Sequence, residues 1–180
     1  MNTQSPSAIF ASPTTFEETF LPHLDAAYNL ARWLTRNPSD AEDVVQEAFL
    51  RAFRFSRGFH TGDGRAWLLK IVRNTSYTWM KKNRRPEIVY ELNEEIAENT
   101  SKSADSQMLE TAERDLLRKH LTDLPASLRE VMVLRHIEGM SYKEIAALIE
   151  VPIGTIMSRL SRGRVRLQKS LTRSASRLAA

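Results

Sequence analysis

Five polar side chains near the C-terminus recur at helical spacing and could together read DNA. They are two hydroxyls and three arginines: Thr155, Ser158, Arg159, Arg162 and Arg166. Their spacing of i, i+3, i+4, i+7 and i+11 places them on one face of a helix. Arginine can bind guanine edges or hold phosphates, and a hydroxyl can bond to either. An isolated helix of this kind is usually only a basic surface helix, so the neighbouring elements must decide.

A second polar face is predicted in the first half of the chain. It combines bases, an amide and one aromatic ring at helical spacing: Lys70, Arg73, Asn74, Tyr77, Lys81 and Arg84. A tyrosine can stack on an unpaired base while neighbouring cations hold the backbone, which is how single strands are commonly bound. Taken alone, Tyr77 is more often a packed surface aromatic. Single-strand binding is the hypothesis, and a packed tyrosine is its alternative.

A third polar face is acidic and belongs to an amphipathic helix. Its members are Asp40, Glu42, Asp43, Gln46 and Glu47. The apolar residues of the same segment predict one buried stripe: Ala41, Val44, Val45, Ala48, Phe49, Ala52 and Phe53. The acidic face can be solvated, can favour the helix dipole or can dock a basic partner. Solvation is the commonest of these cases.

Signals for an enzyme or a metal site are missing from the sequence. The chain has no cysteine, and its four histidines show no ligand spacing. Gly58, Gly62 and Gly64 lack the preceding strand and the Gly-Lys-Ser/Thr of a phosphate loop. We therefore expect no enzyme activity, no metal and no cofactor.

The distribution of charge indicates a polyanionic partner. The formal net charge is only +4, but residues 65–85 and 151–180 each carry seven bases and no acid. Neutralising phosphates with release of counterions supplies most non-specific affinity for nucleic acid. Apolar runs are too short for a membrane span or a secretory signal, so we expect a cytoplasmic protein.

Helices must position these side chains, because apolar residues recur with a period of 3.6 and no strand-like alternation occurs. The predicted fold class is all-α. Capping boxes are expected at Ser39 with Glu42 and at Ser141 with Glu144. Ser141 would begin a short helix, and a last helix would follow from Ile153, so that the two form a helix-turn-helix. This context favours DNA binding by the C-terminal arginines.

Two small helical domains are expected, because a stretch rich in Glu, Asn and Ser and poor in large apolar residues separates them. The predicted layout is a flexible tail at 1–13, a first domain at 14–86, a flexible linker at 87–108 and a second domain at 109–180, which contains the helix-turn-helix.

Both domains resemble the extracytoplasmic-function (ECF) sigma factors of the sigma-70 family. The first domain resembles conserved region 2 at residues 40–49 (DAEDVVQEAF), 65–68 (RAWL), 71 and 73–74 (RN). The second resembles region 4 at residues 124–125 (LP), 128–131 (LREV), 139–142 (GMSY), 144–146 (EIA), 152–156 (PIGTI) and 158–159 (SR). The family pattern is broken at Gly64, Thr78, Glu150 and Met157.

The resemblance implies a factor that binds core RNA polymerase and directs promoter-specific initiation. The acidic face of residues 40–47 would contact the clamp helices of the β′ subunit. The minus-ten element would be bound by Phe59, His60, Lys70, Arg73, Asn74, Tyr77 and Lys81, with a flipped base near the first two. The arginine face of residues 155–166 would read the minus-thirty-five duplex. The family also implies an anti-sigma factor as a partner, and a stress or envelope response.

Two other functions stay open. One is a conventional regulator that binds an operator as a dimer while its first domain senses a ligand or partner. The other is an RNA-binding or antitermination module. The basic face at residues 70–84 favours a sigma factor over the regulator, because a sensing domain does not need it.

Overall fold

The structure is a computed structural model that describes residues 13–59, 62–83 and 109–178. These residues form helices joined by turns, and none of them lies in a strand, which confirms the all-α prediction. The helices form two small domains, on either side of the stretch that was predicted to be a linker.

The first domain contains α1 (Pro13–Phe20), α2 (Leu24–Thr35), α3 (Pro38–Phe55) and α4 (Gly64–Lys82). Asn37 caps α3, because its side-chain oxygen accepts a hydrogen bond from the Asp40 N–H at 3.2 Å. The prediction that Ser39 caps this helix is wrong. Pro38 suits the first helical position, so the asparagine before it becomes the N-cap.

The apolar stripe of α3 lies at the centre of this domain's core. Its buried members are Ala41, Val44, Val45, Ala48 and Ala52, and they pack with Leu30, Leu34, Leu68, Leu69 and Val72 of α2 and α4. Phe49 is half-buried. The prediction of burial is wrong for Phe53, which is 57% exposed. Phe53 lies in the last turn of α3, where its ring contacts Phe16 of α1 edge-on with centroids 5.3 Å apart.

The second domain contains α5 (Leu109–Thr122), α6 (Ala126–His136), α7 (Tyr142–Ile149) and α8 (Ile153–Leu178). The predicted capping box at the start of α7 is confirmed. The Glu144 N–H donates to Ser141 Oγ at 3.2 Å, and the Ser141 N–H donates to Glu144 Oε2 at 2.6 Å. Glu150 ends α7 in a left-handed conformation, with φ 64° and ψ 45°. The short turn after it makes α7 and α8 the predicted helix-turn-helix.

α8 packs on α6 and α7 through the apolar face that its spacing predicts. Ile156, Leu160 and Gly163 are buried, and Leu167 is half-buried. A Cβ atom at Gly163 would lie 3.0 Å from Cγ of Met132 on α6. The missing side chain therefore lets α8 approach α6 closely, since packed interiors leave no room for an added methyl group.

The two domains also contact each other. α2 packs against α6, and α4 packs against α7. The buried side chains of both domains belong to one continuous apolar cluster. The basic face of α4 therefore lies beside the second domain.

Candidate nucleic-acid interface

The polar face of α8 is open to solvent, fully or in part, from Thr155 to Arg166. Ser158, Arg162 and Arg166 are exposed, while Thr155 and Arg159 are half-buried. Ser158 Oγ donates to the Thr155 backbone oxygen at 3.0 Å. The helix thus presents hydroxyl and guanidinium groups together, which is the chemistry that major-groove base edges and phosphates require.

Met157 lies on α8 between Thr155 and Ser158, outside this face, and breaks the family pattern. Its side chain is 54% exposed. A thioether cannot hold a phosphate as a cation does, but it offers apolar surface of the kind that a thymine methyl group contacts.

Arg73, Asn74 and Tyr77 lie together on α4. The Arg73 guanidinium carbon lies 4.8 Å from the centroid of the Tyr77 ring, and Arg73 Nη1 donates to Asn74 Oδ1 at 3.4 Å. This cation–π contact holds a ring and a positive charge side by side. Asn74 and Lys81 are exposed, and Lys70 is half-buried. Arg84, the last member of the predicted face, lies outside the described residues.

Carboxylates of the second domain contact the same face of α4, and sequence reasoning missed them. Arg73 Nε donates to Glu130 Oε1 at 2.7 Å, and the Tyr77 hydroxyl donates to Glu130 Oε2 at 3.3 Å. Lys70 Nζ donates to Glu150 Oε1 at 2.6 Å. Glu130 is only 1% exposed. Burial raises the pKa of Glu130, although the Arg73 charge and the hydrogen bonds from Arg73 and Tyr77 oppose that rise.

The sequence did contain one signal for Glu130. It stands directly before the apolar run of residues 131–134, so α6 carries it into the interior. A buried carboxylate needs a charged or hydrogen-bonding partner. Local spacing cannot say which one, because Arg73 lies 57 residues away in the sequence.

Phe59 packs in an aromatic cluster before the start of α4. Its ring centroid lies 5.4 Å from that of Phe20 and 5.2 Å from that of Trp67. The ring is half-buried, so a base held here would meet the rim of this cluster. His60, the other residue expected at this site, lies outside the described residues.

Two of the residues that depart from the family pattern, Gly64 and Thr78, have specific local contacts. A Cβ atom at Gly64 would lie 2.9 Å from Thr19 Cγ2 and 3.2 Å from the Thr19 backbone oxygen. Glycine therefore allows α1 to approach the start of α4. Thr78 is exposed on α4, and its Oγ1 donates to the Asn74 backbone oxygen at 2.8 Å.

The acidic face of α3 borders a groove between α2 and α3. Glu42, Asp43 and Gln46 are exposed, and Asp40 and Glu47 are half-buried. Arg51 donates to Glu47 at 2.7 Å, and this hydrogen bond lowers the pKa of Glu47. The groove combines apolar and acidic walls: Leu24, Asp25, Tyr28, Glu42, Val45 and Gln46.

Within residues 13–59, 62–83 and 109–178, no group of three or more metal-ligating side chains comes together. None of the helices described has the length and apolarity that crossing a membrane requires.

Known proteins match both domains. Residues 19–86 match the Sigma-70 region 2 family, and residues 114–167 match the Sigma-70, region 4 family. The chain is 34% identical over 175 residues to the ECF RNA polymerase sigma factor SigE of Mycolicibacterium smegmatis, covering 94% of this chain and 66% of that protein. It is 31% identical over 152 residues to the ECF RNA polymerase sigma-E factor of Haemophilus influenzae, covering 79% of each.

Solved structures show the same arrangement of helices. One is the sigma factor RpoE in complex with the anti-sigma factor NepR from Bartonella quintana, with 34% identity, a TM-score of 0.68, and coverage of 87% of this chain and 96% of that one. Another is CnrH in complex with the cytosolic domain of CnrY, with 26% identity, a TM-score of 0.63 and coverage of 88% of each chain. This chain belongs to the sigma-70 family, among the ECF RNA polymerase sigma factors.

Proposed function

We propose that this protein binds core RNA polymerase and directs it to a subset of promoters, acting in the cytoplasm and without catalytic chemistry of its own. The observation that carries the proposal is the presence of one DNA-facing surface on each domain. Arg73, Asn74 and Tyr77 cluster on α4, and Arg159 and Arg162 lie on the recognition helix α8. Two surfaces on separate domains suit two promoter elements at a fixed separation.

Each domain has a proposed part in this task. Residues 14–86 serve as region 2, residues 109–180 serve as region 4, and residues 87–108 link them after a tail at 1–13. Region 4 reads the minus-thirty-five duplex through the polar face of α8. Region 2 binds the melted minus-ten strand, because the Tyr77 ring can stack on a base while Arg73 and Lys70 neutralise phosphates.

The groove between α2 and α3 is the proposed docking site for polymerase. Its apolar wall of Leu24, Tyr28 and Val45 lies beside the carboxylates of Asp25 and Glu42. Such a surface fits a basic amphipathic helix, which buries its apolar side while its charges meet the acidic rim. The clamp helices of the β′ subunit are the partner that the family implies.

An anti-sigma factor is the proposed regulator. The similar RpoE structure contains the anti-sigma factor NepR. A protein that binds both domains of this chain together would withhold both DNA-facing surfaces from the promoter. A stress or envelope signal that releases this protein would then start transcription.

Run-off transcription with purified core polymerase and a genomic fragment library tests the function. Adding the protein should produce new transcripts with defined start sites. Arg159→Ala with Arg162→Ala should reduce them at least about 30-fold, because two lost base or phosphate contacts at roughly 1–3 kcal/mol each weaken binding by about 2 kcal/mol or more. Binding to core polymerase should be unchanged.

The matched control removes two exposed, positively charged side chains from α5, with Arg118→Ala and Lys119→Ala. This control should transcribe like the wild type. Equal losses in both double variants would show a general charge effect, and no position-specific transcripts with the wild type would exclude a sigma factor.

A further inference from the structure

Three basic side chains of α4 form ion pairs with the second domain. They lie at or near the proposed minus-ten surface, which is the cluster of Arg73, Asn74 and Tyr77 on α4. Arg73 binds Glu130 at 2.7 Å, and Lys70 binds Glu150 at 2.6 Å. At the start of α4, Arg65 Nη2 donates to Glu138 Oε2 at 2.6 Å and to the Glu138 backbone oxygen at 2.7 Å. The three acids come from α6, from the segment after α6, and from the end of α7. They are therefore three separate contacts along α4.

We propose that Glu130, Glu138 and Glu150 take the place of DNA phosphates on α4 and hold the free protein in a closed, self-occluded state. The inference rests on the proposed role of α4 in binding the minus-ten strand. It adds that the second domain itself blocks that role until the domains separate.

Competition follows from the donor atoms involved. Arg73 Nε and the Tyr77 hydroxyl donate to the two oxygens of a single carboxylate, Glu130. A phosphate offers the same oxygen acceptors in similar geometry, so it would require the same donors. The Tyr77 ring is half-buried in this arrangement, whereas stacking needs one of its faces free. DNA and the second domain therefore cannot occupy this surface together.

The charge of one residue on the second DNA-facing surface also acts on Glu130. The positive charge of Arg159 on α8 favours the ionised form of Glu130, in addition to the stronger effect of Arg73. One buried carboxylate thus interacts with a base from each domain. Closure thus engages the minus-ten surface through the hydrogen bonds that Arg73 and Tyr77 donate to Glu130.

The closed state is held weakly enough to open. Glu130 and Arg73 are both largely removed from water, and the desolvation of a buried pair offsets most of its attraction. Lys70 is half-buried and Glu150 is exposed, so water and salt reach their pair and screen it. Glu138 Oε1 is buried and has no hydrogen-bond partner among the described residues, which disfavours closure further. A polyanion can therefore displace these acids.

Inter-domain distance measured on the full chain tests the proposal without DNA. The chain has no cysteine, so Ser39→Cys on α3 and Ser161→Cys on α8 supply two exposed labelling sites for energy transfer. Glu130→Gln should lengthen the distance and shift the population toward the open state at least threefold. Asp123→Asn, which removes an exposed carboxylate at the end of α5, is the matched control and should leave the distance unchanged.

Charge exchange gives a second, independent measurement. Lys70→Glu should open the protein by repelling Glu150, and adding Glu150→Lys should close it again. Both positions are on the surface, so folding should survive both changes. Failure of the exchanged pair to restore the wild-type distance would overturn the proposal, as would a Glu130→Gln protein that matches the Asp123→Asn control.

Binding of a single-stranded oligonucleotide then connects closure with function. Glu130→Gln should raise its affinity about 3- to 10-fold over the Asp123→Asn control if the acid competes with phosphate. An unchanged affinity in a protein that has opened would overturn the competition. Absence of any single-strand binding, even in the open protein, would instead contradict the proposed role of α4, so the two failures are distinguishable.

Discussion

Glu150 holds a backbone conformation that glycine adopts far more easily. Its φ of 64° ends α7 in the left-handed region, where an L side chain is strained. The Glu150 carboxylate accepts a hydrogen bond from Lys70 on α4, and this contact offsets part of the backbone strain. The same hydrogen bond lowers the pKa of Glu150. This departure from the family pattern thus supplies a contact between the domains.

Glu150→Gly should therefore separate two effects. Relief of backbone strain should raise the melting temperature of the protein by about 2–4 °C. Loss of the Lys70 contact should at the same time lengthen the distance between the domains. Differential scanning calorimetry and the labelled pair described above measure these two results.

Glu150→Gln is the matched variant, because it keeps the strain and loses only the charge. It should open the domains without any gain in melting temperature. Equal melting temperatures for the glycine and glutamine variants would contradict the assignment of strain to this residue.

Residue-scale prediction from sequence succeeded where a side chain's position follows from helix periodicity. Ile156, Leu160 and Gly163 are buried, and Arg162 is exposed, as their spacing required. Periodicity carries no information about a partner in another domain. The contacts of the carboxylates at 130, 138 and 150 therefore could not be predicted. The need for a glycine at position 64 is apparent only from its close contact with Thr19 of α1.

At the scale of elements, the capping box of α7 makes the stability of the helix-turn-helix depend on pH. Hydrogen bonds from Ser141 lower the pKa of Glu144 below its ordinary value of 4.5. A carboxyl group whose pKa is lowered by folding stabilises the fold above its unfolded pKa. That stabilisation is lost as the pH falls through the lower, folded-state value.

Glu144→Gln should remove this dependence, because glutamine can keep the capping hydrogen bond but cannot ionise. At pH 7 the variant should be less stable than the wild type, and the difference should shrink as the pH falls below the ordinary glutamate pKa and through the lowered, folded-state value. Urea unfolding followed by circular dichroism between pH 7 and pH 3 measures it. Parallel pH profiles of the two proteins would contradict the assignment.

Ser141→Ala, which removes the cap itself, should lower the free energy of unfolding by roughly 1 kcal/mol at pH 7.

Element boundaries were predictable where a side chain signals them. Ser141 with Glu144 gave the start of α7 correctly, since hydroxyl and carboxylate stand at the right spacing before an apolar helix. The same logic failed at Ser39, because Asn37 also satisfies it and Pro38 fixes the first turn. Burial of Phe53 was overestimated, because periodicity does not reveal where a neighbouring helix stops covering a stripe.

At the scale of the whole molecule, core binding and promoter reading should be separable. Asp43→Lys with Glu47→Lys reverses two charges on the α3 face that borders the docking groove. Affinity for core polymerase should fall at least tenfold, because basic clamp helices would then meet like charges. Binding of the isolated protein to a minus-thirty-five duplex should not weaken. Pull-down of core polymerase and a duplex gel shift measure the two effects.

The control reverses two exposed acids on α1, with Glu17→Lys and Glu18→Lys. It should keep its affinity for core polymerase. Matching losses in both double variants would show that the overall charge of the domain governs binding, and not the groove on α3.

The arrangement of the two domains lay beyond sequence reasoning. Composition predicted two helical units, and the family pattern predicted their separate tasks. The contact of α2 with α6 and of α4 with α7 depends on shapes and charges that are far apart in the chain. A flexible linker would allow many arrangements, and local spacing does not select among them.

The contacts of Glu130 with Arg73 and Tyr77 have a consequence for promoter selection. In the proposed closed state, a single strand gains these two donors only when the domains separate, so a promoter element that holds the domains apart also favours binding of the other element. Linkage between two sites is reciprocal, so each promoter element should raise the affinity of the protein for the other by the same factor. The protein would then bind paired elements cooperatively and a lone element more weakly.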